Sequence, residues 1–379
     1  MGDDARVMSQ RHLVALDGLR ALAVIAVIVF HARNNVAPSA LGHAYAWIAI
    51  AGWVGVDLFF VLSGFLITGI LLDSKPRPRY FRNFYIRRTL RIFPLYYAVL
   101  VLALLVGPVV FGDRDPGVRF ILHEQGWLWT YMTNVEVLRH DGMLYTSDWL
   151  SLTHMWSLAI EEQFYLVWPL LVYLLPRRAL VVVASAIVVL APLGRWMLLE
   201  HGVSPEATYE WTTSHLDALA VGSLLAVLVR ARPDAVRVVT RALGLIGVAG
   251  VLVVIAHAHR LELDERWLQI GGLSALALGF GGVVLYAAGG GARWLTHPAL
   301  VAIGTYSYGI YIFHALLLPL YRRVIDVDAL ATLLHSSLAA ALVFTAIVVA
   351  ATTAIAALSW HLFERRFLAL KDRWAPTSR

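Results

Sequence analysis

Apolar runs of membrane-spanning length, about 20 residues in a helix rising 1.5 Å per residue, recur along the chain. They fall at roughly 13–33, 48–72, 92–112, 155–175, 179–199, 213–230, 240–257, 267–288, 299–320 and 334–361. The polar connections are rich in arginine. One carries Lys75, Arg77, Arg79, Arg82, Arg87, Arg88 and Arg91; others carry Arg177 and Arg178, then Arg230, Arg232, Arg237 and Arg241, then Arg365, Arg366, Lys371 and Arg373. Positive charge favours the cytoplasmic side. These clusters share that side only if the N-terminus is cytoplasmic and the aromatic-rich segment 118–136 does not cross. The pattern therefore predicts an all-α polytopic membrane protein. It has about ten transmembrane helices, both termini cytoplasmic, and one re-entrant or interfacial helix at 118–136. A single integral-membrane domain is expected over 1–379, with short cytoplasmic tails at about 1–12 and 365–379. Arg322 and Arg323 fall on the outer side in this scheme, an exception to the charge rule.

Composition removes other classes. The 379 residues are 59% hydrophobic and 15% charged, with a mean hydropathy of +0.70, which excludes a soluble domain. The net charge of +6 then belongs to membrane-flanking loops rather than to a nucleic-acid surface. Without Cys there is no disulfide, thiolate nucleophile or thiolate metal site. Asp17 and Arg20 interrupt the first apolar run, which reads as an uncleaved span rather than a signal peptide.

Ionisable residues inside spans mark candidate chemistry, because burying a charge in lipid costs several kcal/mol. Arg20 and His31 lie eleven residues apart on the first span, about 20° apart around the helix and roughly 17 Å along it. Anchoring at the two interfaces is the plain alternative for this pair. In FYIRRTLRIFPLYY, Arg88 and Arg91 share a helix face with Arg87 beside them, and a guanidinium fork suits phosphate; lipid phosphate is again the plain alternative. GWVGVDLFFVLSGFLITGILL buries Asp57. WSLAIEEQFYLVWPLL holds Glu161 and Glu162, which point about 100° apart. Ser157, Glu161 and Tyr165 share a stripe, so Glu161 is expected to face inward and Glu162 not. SHLDALAVGSLLA adds Asp217, and GTYSYGIYIFHALLL adds His314. Five helices thus place an acid or imidazole in the outer half of the bundle. Two histidines without a metal-binding spacing predict no metal site.

Together with LDGLRALAVIAVIVFHA, these motifs in this order closely resemble the membrane-bound acyltransferase 3 family. That family includes O-acetyltransferases of O-antigens and exopolysaccharides and O-acyltransferases of macrolides. The resemblance runs from Leu16 to about Phe367. It implies transfer of an acyl group from cytoplasmic acyl-CoA to a hydroxyl on a sugar or sugar-bearing product, and marks Arg20/His31 and Arg88/Arg91 as signature arrangements. Ser214 and His215 stand where relatives often carry Arg before the Asp of the LDAL motif. FERRFLALK replaces a Glu-Lys-Pro-Phe pattern and is expected to matter only for helix termination. Many members carry a fused extracytoplasmic hydrolase-like domain; none is expected within these 379 residues.

Joined to the residue chemistry, the resemblance gives a mechanism. Acyl-CoA, most simply acetyl-CoA, is a co-substrate rather than a resident cofactor; it is expected to dock on Arg20, Arg87, Arg88 and Arg91. His31 is the expected general base on the acceptor hydroxyl, oriented by Glu161 first and Asp57 second. Ser157, Glu162, Tyr165, Asp217 and His314 support the site. Direct attack and an acyl-His31 intermediate both remain open, with Ser63 and Ser157 as outside candidates for a nucleophile. Expected partners are acyl-CoA, the bilayer, and an acceptor that is a glycan, lipid-linked sugar or macrolide-like metabolite. The expected location is the cell membrane. A secondary transporter or flippase using the same buried charges is the rival reading; it calls for inverted repeats, and none is visible.

Overall fold

The computed structural model describes residues 2–111, 115–142, 145–258 and 262–376. The chain forms helices α1 (Gly2–His31), α2 (Ala40–Ala51), α3 (Val54–Ser74), α4 (Tyr80–Phe111), α5 (Pro116–His123), α6 (Gln125–Trp129), α7 (Thr133–His140), α8 (Met155–Leu174) and α9 (Arg177–Glu200). It continues with α10 (Pro205–Glu210), α11 (Leu216–Ala231), α12 (Val236–Ala258), α13 (Leu273–Ala288), α14 (Pro298–Val324), α15 (Val327–Leu333), α16 (Ser337–Ser359) and α17 (Arg365–Trp374). No strand occurs among the described residues; Thr146 and Ser151 form an isolated bridge.

Among the described residues, eight stretches are long and apolar enough to cross a membrane. The expected spans at 155–175 and 213–230 are present as α8 and α11 but lie outside that set. α8 carries two glutamates, and α11 has only 16 residues. α11 is buried along most of its length, from Asp217 to Val227, so protein rather than lipid surrounds it and its length does not have to match a bilayer. Three boundaries differ from the apolar pattern. The expected span at 48–72 is two helices, with α2 ending at Ala51 and α3 starting at Val54. The single helix expected at 118–136 is three short ones, α5 to α7, none longer than eight residues. The FERRF stretch does not end a helix: a π-turn at Trp360–Glu364 carries α16 into α17.

α3 runs along α11, α1 along α14, and α12 along α13. The α3–α11 contact is close because glycines meet backbone on both sides. A Cβ on Gly64 would lie 2.0 Å from the Leu219 carbonyl oxygen, and one on Gly222 would lie 2.1 Å from that of Val61. Polar ties then show which helix ends share a face. Lys75 Nζ donates to the Val172 and Leu175 carbonyls at 2.8 and 2.9 Å, Arg230 pairs with Asp73 at 2.6 Å, and Arg87 donates to the Ala375 carbonyl at 2.7 Å. These ties collect the arginine clusters at one end of the bundle. At the opposite end, Arg322 donates to the carbonyls of His31 and Arg33, and His31 meets His314.

Candidate active site

α1 ends on His31, whose Nδ1 lies 3.0 Å from the Val27 carbonyl oxygen and 3.3 Å from His314 Nε2. His314 Nδ1 in turn lies 2.6 Å from the Tyr311 carbonyl oxygen. A carbonyl only accepts, so each Nδ1 carries the proton of its neutral ring. His314 Nε2 is then an acceptor, sharing the His31 Nδ1 proton with Val27. The lone pair of His31 Nε2 is left for chemistry. His154 brings a third imidazole, buried and 5.4 Å from the His314 ring. A cavity of about 610 Å³ opens here, lined by His31, His154, Trp53, Trp156, Tyr209 and Glu210. Burial first, and the Glu206 charge second, push the Glu210 carboxyl well above the usual carboxylate range.

At the basic end, Arg20, Arg87, Arg88, Arg91 and Lys371 line a second cavity of about 540 Å³. Arg20 pairs with Asp17 at 2.7 Å. Arg87 is committed elsewhere: Nε and Nη2 donate to the Ala375 carbonyl at 3.0 and 2.7 Å, with Asp372 at 3.6 Å. Arg88 lies 6.0 Å from the Tyr165 ring, and Arg91 lies 5.1 Å from the Trp360 ring and 6.0 Å from that of Tyr308. The π-turn tucks Glu364 inward, 5% exposed, where Ser359 Oγ donates to it at 3.2 Å and its charge opposes that of Arg91.

Arg20, Arg88 and Arg91 also line a narrow cavity of about 110 Å³ reaching inward along Ser63, Ser157, Glu161 and Tyr165. Glu161 accepts a short hydrogen bond from Ser63 Oγ; Glu162 is not part of this lining, and its Oε1 is buried without a partner. Val56 and Tyr311 form walls of both the narrow cavity and the His31 cavity. The Tyr311 hydroxyl bonds Ser157 Oγ, while its carbonyl holds His314. Tyr311 therefore stands between the arginine end and the histidine end.

The acids expected to gather around His31 are distributed instead. Asp57, 1% exposed, is 3.1 Å from His215 Nδ1 and accepts from the Tyr209 hydroxyl at 3.4 Å. Asp217 pairs with buried Arg195 at 3.0 Å and accepts from Ser274 Oγ at 2.5 Å. Neither Glu161 nor Asp57 bonds His31; His314 occupies the orienting position assigned to a carboxylate. The reason is placement: Glu161 lies on the side of Tyr311 that faces the arginines, and Asp57 is turned toward the segment before α11. His154, Tyr311, Arg195 and Glu364 were not singled out from the sequence. Tyr311 had a signal, since Ser307, Tyr311 and His314 recur at helical spacing; His154, at the start of α8, had none. Among the described residues no set of three His, Cys, Asp or Glu side chains is disposed to hold a metal ion.

A family model described as an acyltransferase domain matches residues 13–361. The peptidoglycan O-acetyltransferase OatA of Listeria monocytogenes is 32% identical over 346 residues, which are 84% of this chain and 51% of that protein. The O-acetyltransferase OatA of Staphylococcus aureus is 29% identical over 329 residues, 82% of this chain and 51% of that protein. The chain thus spans about half the length of the curated relatives it matches. No solved structure matches it.

Proposed function

The chain belongs to the acyltransferase 3 family of multi-pass membrane proteins, and on that premise we propose that it moves an acetyl or other acyl group from cytoplasmic acyl-CoA to a hydroxyl of a glycan or glycosylated metabolite. The adjacency of the cavities supports this reading: Arg20, Arg88 and Arg91 line both of the first two, and Val56 and Tyr311 form the wall common to the second and third. The phosphates of the donor would rest on Arg88, Arg91 and Arg20. Its pantetheine arm would extend past Glu161 toward His31, about 17 Å along α1 from Arg20. A glycan acceptor is supported by the peptidoglycan O-acetylation for which the Listeria relative is named.

His31 Nε2 would take the acceptor hydroxyl proton as the hydroxyl oxygen attacks the thioester carbonyl; the CoA thiolate then leaves and takes up that proton. His31 sits in the last turn of α1, oriented by the Val27 carbonyl and His314 rather than by a carboxylate. Both termini would be cytoplasmic, with the arginine end facing in. Counting α8 and α11 as crossings brings the total to ten. His31→Ala is expected to lose about 10²–10⁴-fold in turnover while the KM for acetyl-CoA stays near wild type. His31→Gln should be nearly as poor and should lose the acid limb of the kcat/KM profile. Near-wild-type acyl transfer by folded His31→Ala protein would overturn the mechanism, and substrate movement without acyl product would favour a transporter.

A further inference from the structure

Outside the path just described, α1, the segment after it, α2 and the end of α14 enclose a cavity of about 750 Å³. His31 is part of its wall, with Arg33, Asn34, Asn35, His43, Tyr45 and Arg322. No Asp or Glu is among its described lining residues. Among the described residues, the hydrogen bonds of the two guanidiniums go to neutral oxygens. Arg33 Nη1 donates to the Phe30 carbonyl at 2.7 Å. Arg322 donates to the carbonyls of His31 and Arg33 at 3.1 and 3.0 Å and to Asn34 Oδ1 at 3.4 Å.

The two cations also act against each other: burial first and the Arg322 charge second disfavour the charged form of Arg33. The acid whose charge favours it, Glu262, lines the neighbouring aromatic cavity. A pair of guanidiniums held together without a bonded carboxylate, flanked by side-chain amides and a tyrosine hydroxyl, is the donor set that an oxyanion satisfies. It lies at the end of the bundle opposite the arginine clusters, where topology gives positive charge no reason to collect.

We propose that this cavity is the acceptor subsite for an anionic group, a carboxylate or phosphate borne by the acceptor, held by Arg33 and Arg322 so that a neighbouring hydroxyl reaches His31. The inference deepens the acyltransferase reading and rests on it for the word acceptor; the anion site itself is tested by binding alone. N-acetylmuramic acid and N-acetylglucosamine share a sugar ring and differ by a carboxylate-bearing ether, so they form the probe pair. Binding of each to the detergent-solubilised full chain is measured by calorimetry, in wild type, Arg33→Gln, Arg33→Lys and Arg88→Ala.

The expected result is about tenfold tighter binding of the acidic sugar, the size of one charge-assisted contact. That preference should be lost in Arg33→Gln, largely kept in Arg33→Lys, and intact in Arg88→Ala. Equal affinities in wild type, absence of binding included, would overturn the proposal, as would a preference that survives Arg33→Gln. Loss of the preference in Arg88→Ala instead would place the anion at the other end of the bundle and overturn it as well. Repeating the titration in nanodiscs with and without anionic lipid separates the remaining source: a preference abolished by anionic lipid would assign the site to headgroups and overturn an acceptor role. Failure of acetyl transfer with this binding pattern intact would count against the enzyme reading and not against the site.

Discussion

Arg88 and Arg91 offer the sharpest separation between neighbouring arginines. Neither guanidinium makes a hydrogen bond or ion pair with the described residues, and both line the wide and the narrow cavities at the basic end. Arg87 also borders the wide cavity, but two of its donors are taken by the Ala375 carbonyl. A phosphate arriving in the cavity would therefore gain new charge-assisted bonds from Arg88 and Arg91, whereas Arg87 would have to give up bonds it already makes. Losing such a contact costs about 1.5–3 kcal/mol, roughly 10- to 150-fold in affinity. Arg88→Ala and Arg91→Ala should each raise the KM for acetyl-CoA by that order. The double variant should raise it further but less than additively, because the residues share a ligand. Arg87→Ala should change KM far less and instead loosen the segment after α17. Initial rates in proteoliposomes across a range of acetyl-CoA concentrations, with thermal unfolding of each variant as a check on folding, supply the comparison. An unchanged KM in the folded double variant would leave these residues as lipid anchors. A rise for Arg87→Ala as large as for Arg88→Ala would show that the hydrogen-bond assignment is the wrong basis for ranking them.

Two further outcomes test the scaffold. Gly64→Ala and Gly222→Ala each drive a methyl into a facing carbonyl 2.0–2.1 Å away, so each should destabilise the fold by about 1–3 kcal/mol and lower the unfolding temperature. Gly126→Ala, with nothing within 4 Å, serves as the control, and equal unfolding temperatures for all three would contradict the α3–α11 packing. The second concerns topology. Single cysteines replacing Arg119 and His140 in this Cys-free chain should both react with an impermeant thiol reagent from the outer side. Labelling from opposite sides would mean that the segment between α4 and α8 crosses the bilayer.

Much of the architecture and part of the site were legible in the residues. Apolar run length marked where most long helices lie, because a bilayer imposes the same requirement on every lipid-facing helix. Helical spacing put Arg88 and Arg91 on one face and chose Glu161 over Glu162 for the cavity, because both are properties of a single helix. Periodicity says which side of a helix is inward and nothing about which helix it meets. His31 and His314 are 283 residues apart, and only the packing of α1 on α14 makes them partners. The same packing sends Asp57 to His215 and Asp217 to Arg195, where the sequence offered a single outer cluster of acids. The apolar pattern also could not divide α2 from α3 or resolve three short helices between α4 and α8. Those breaks are set by turns and by neighbours that bury the chain ends. α11 shows both sides: its apolar run was legible in the sequence, but that it is wrapped in protein along α3, and so is released from the length that lipid demands, was decided by the tertiary structure alone.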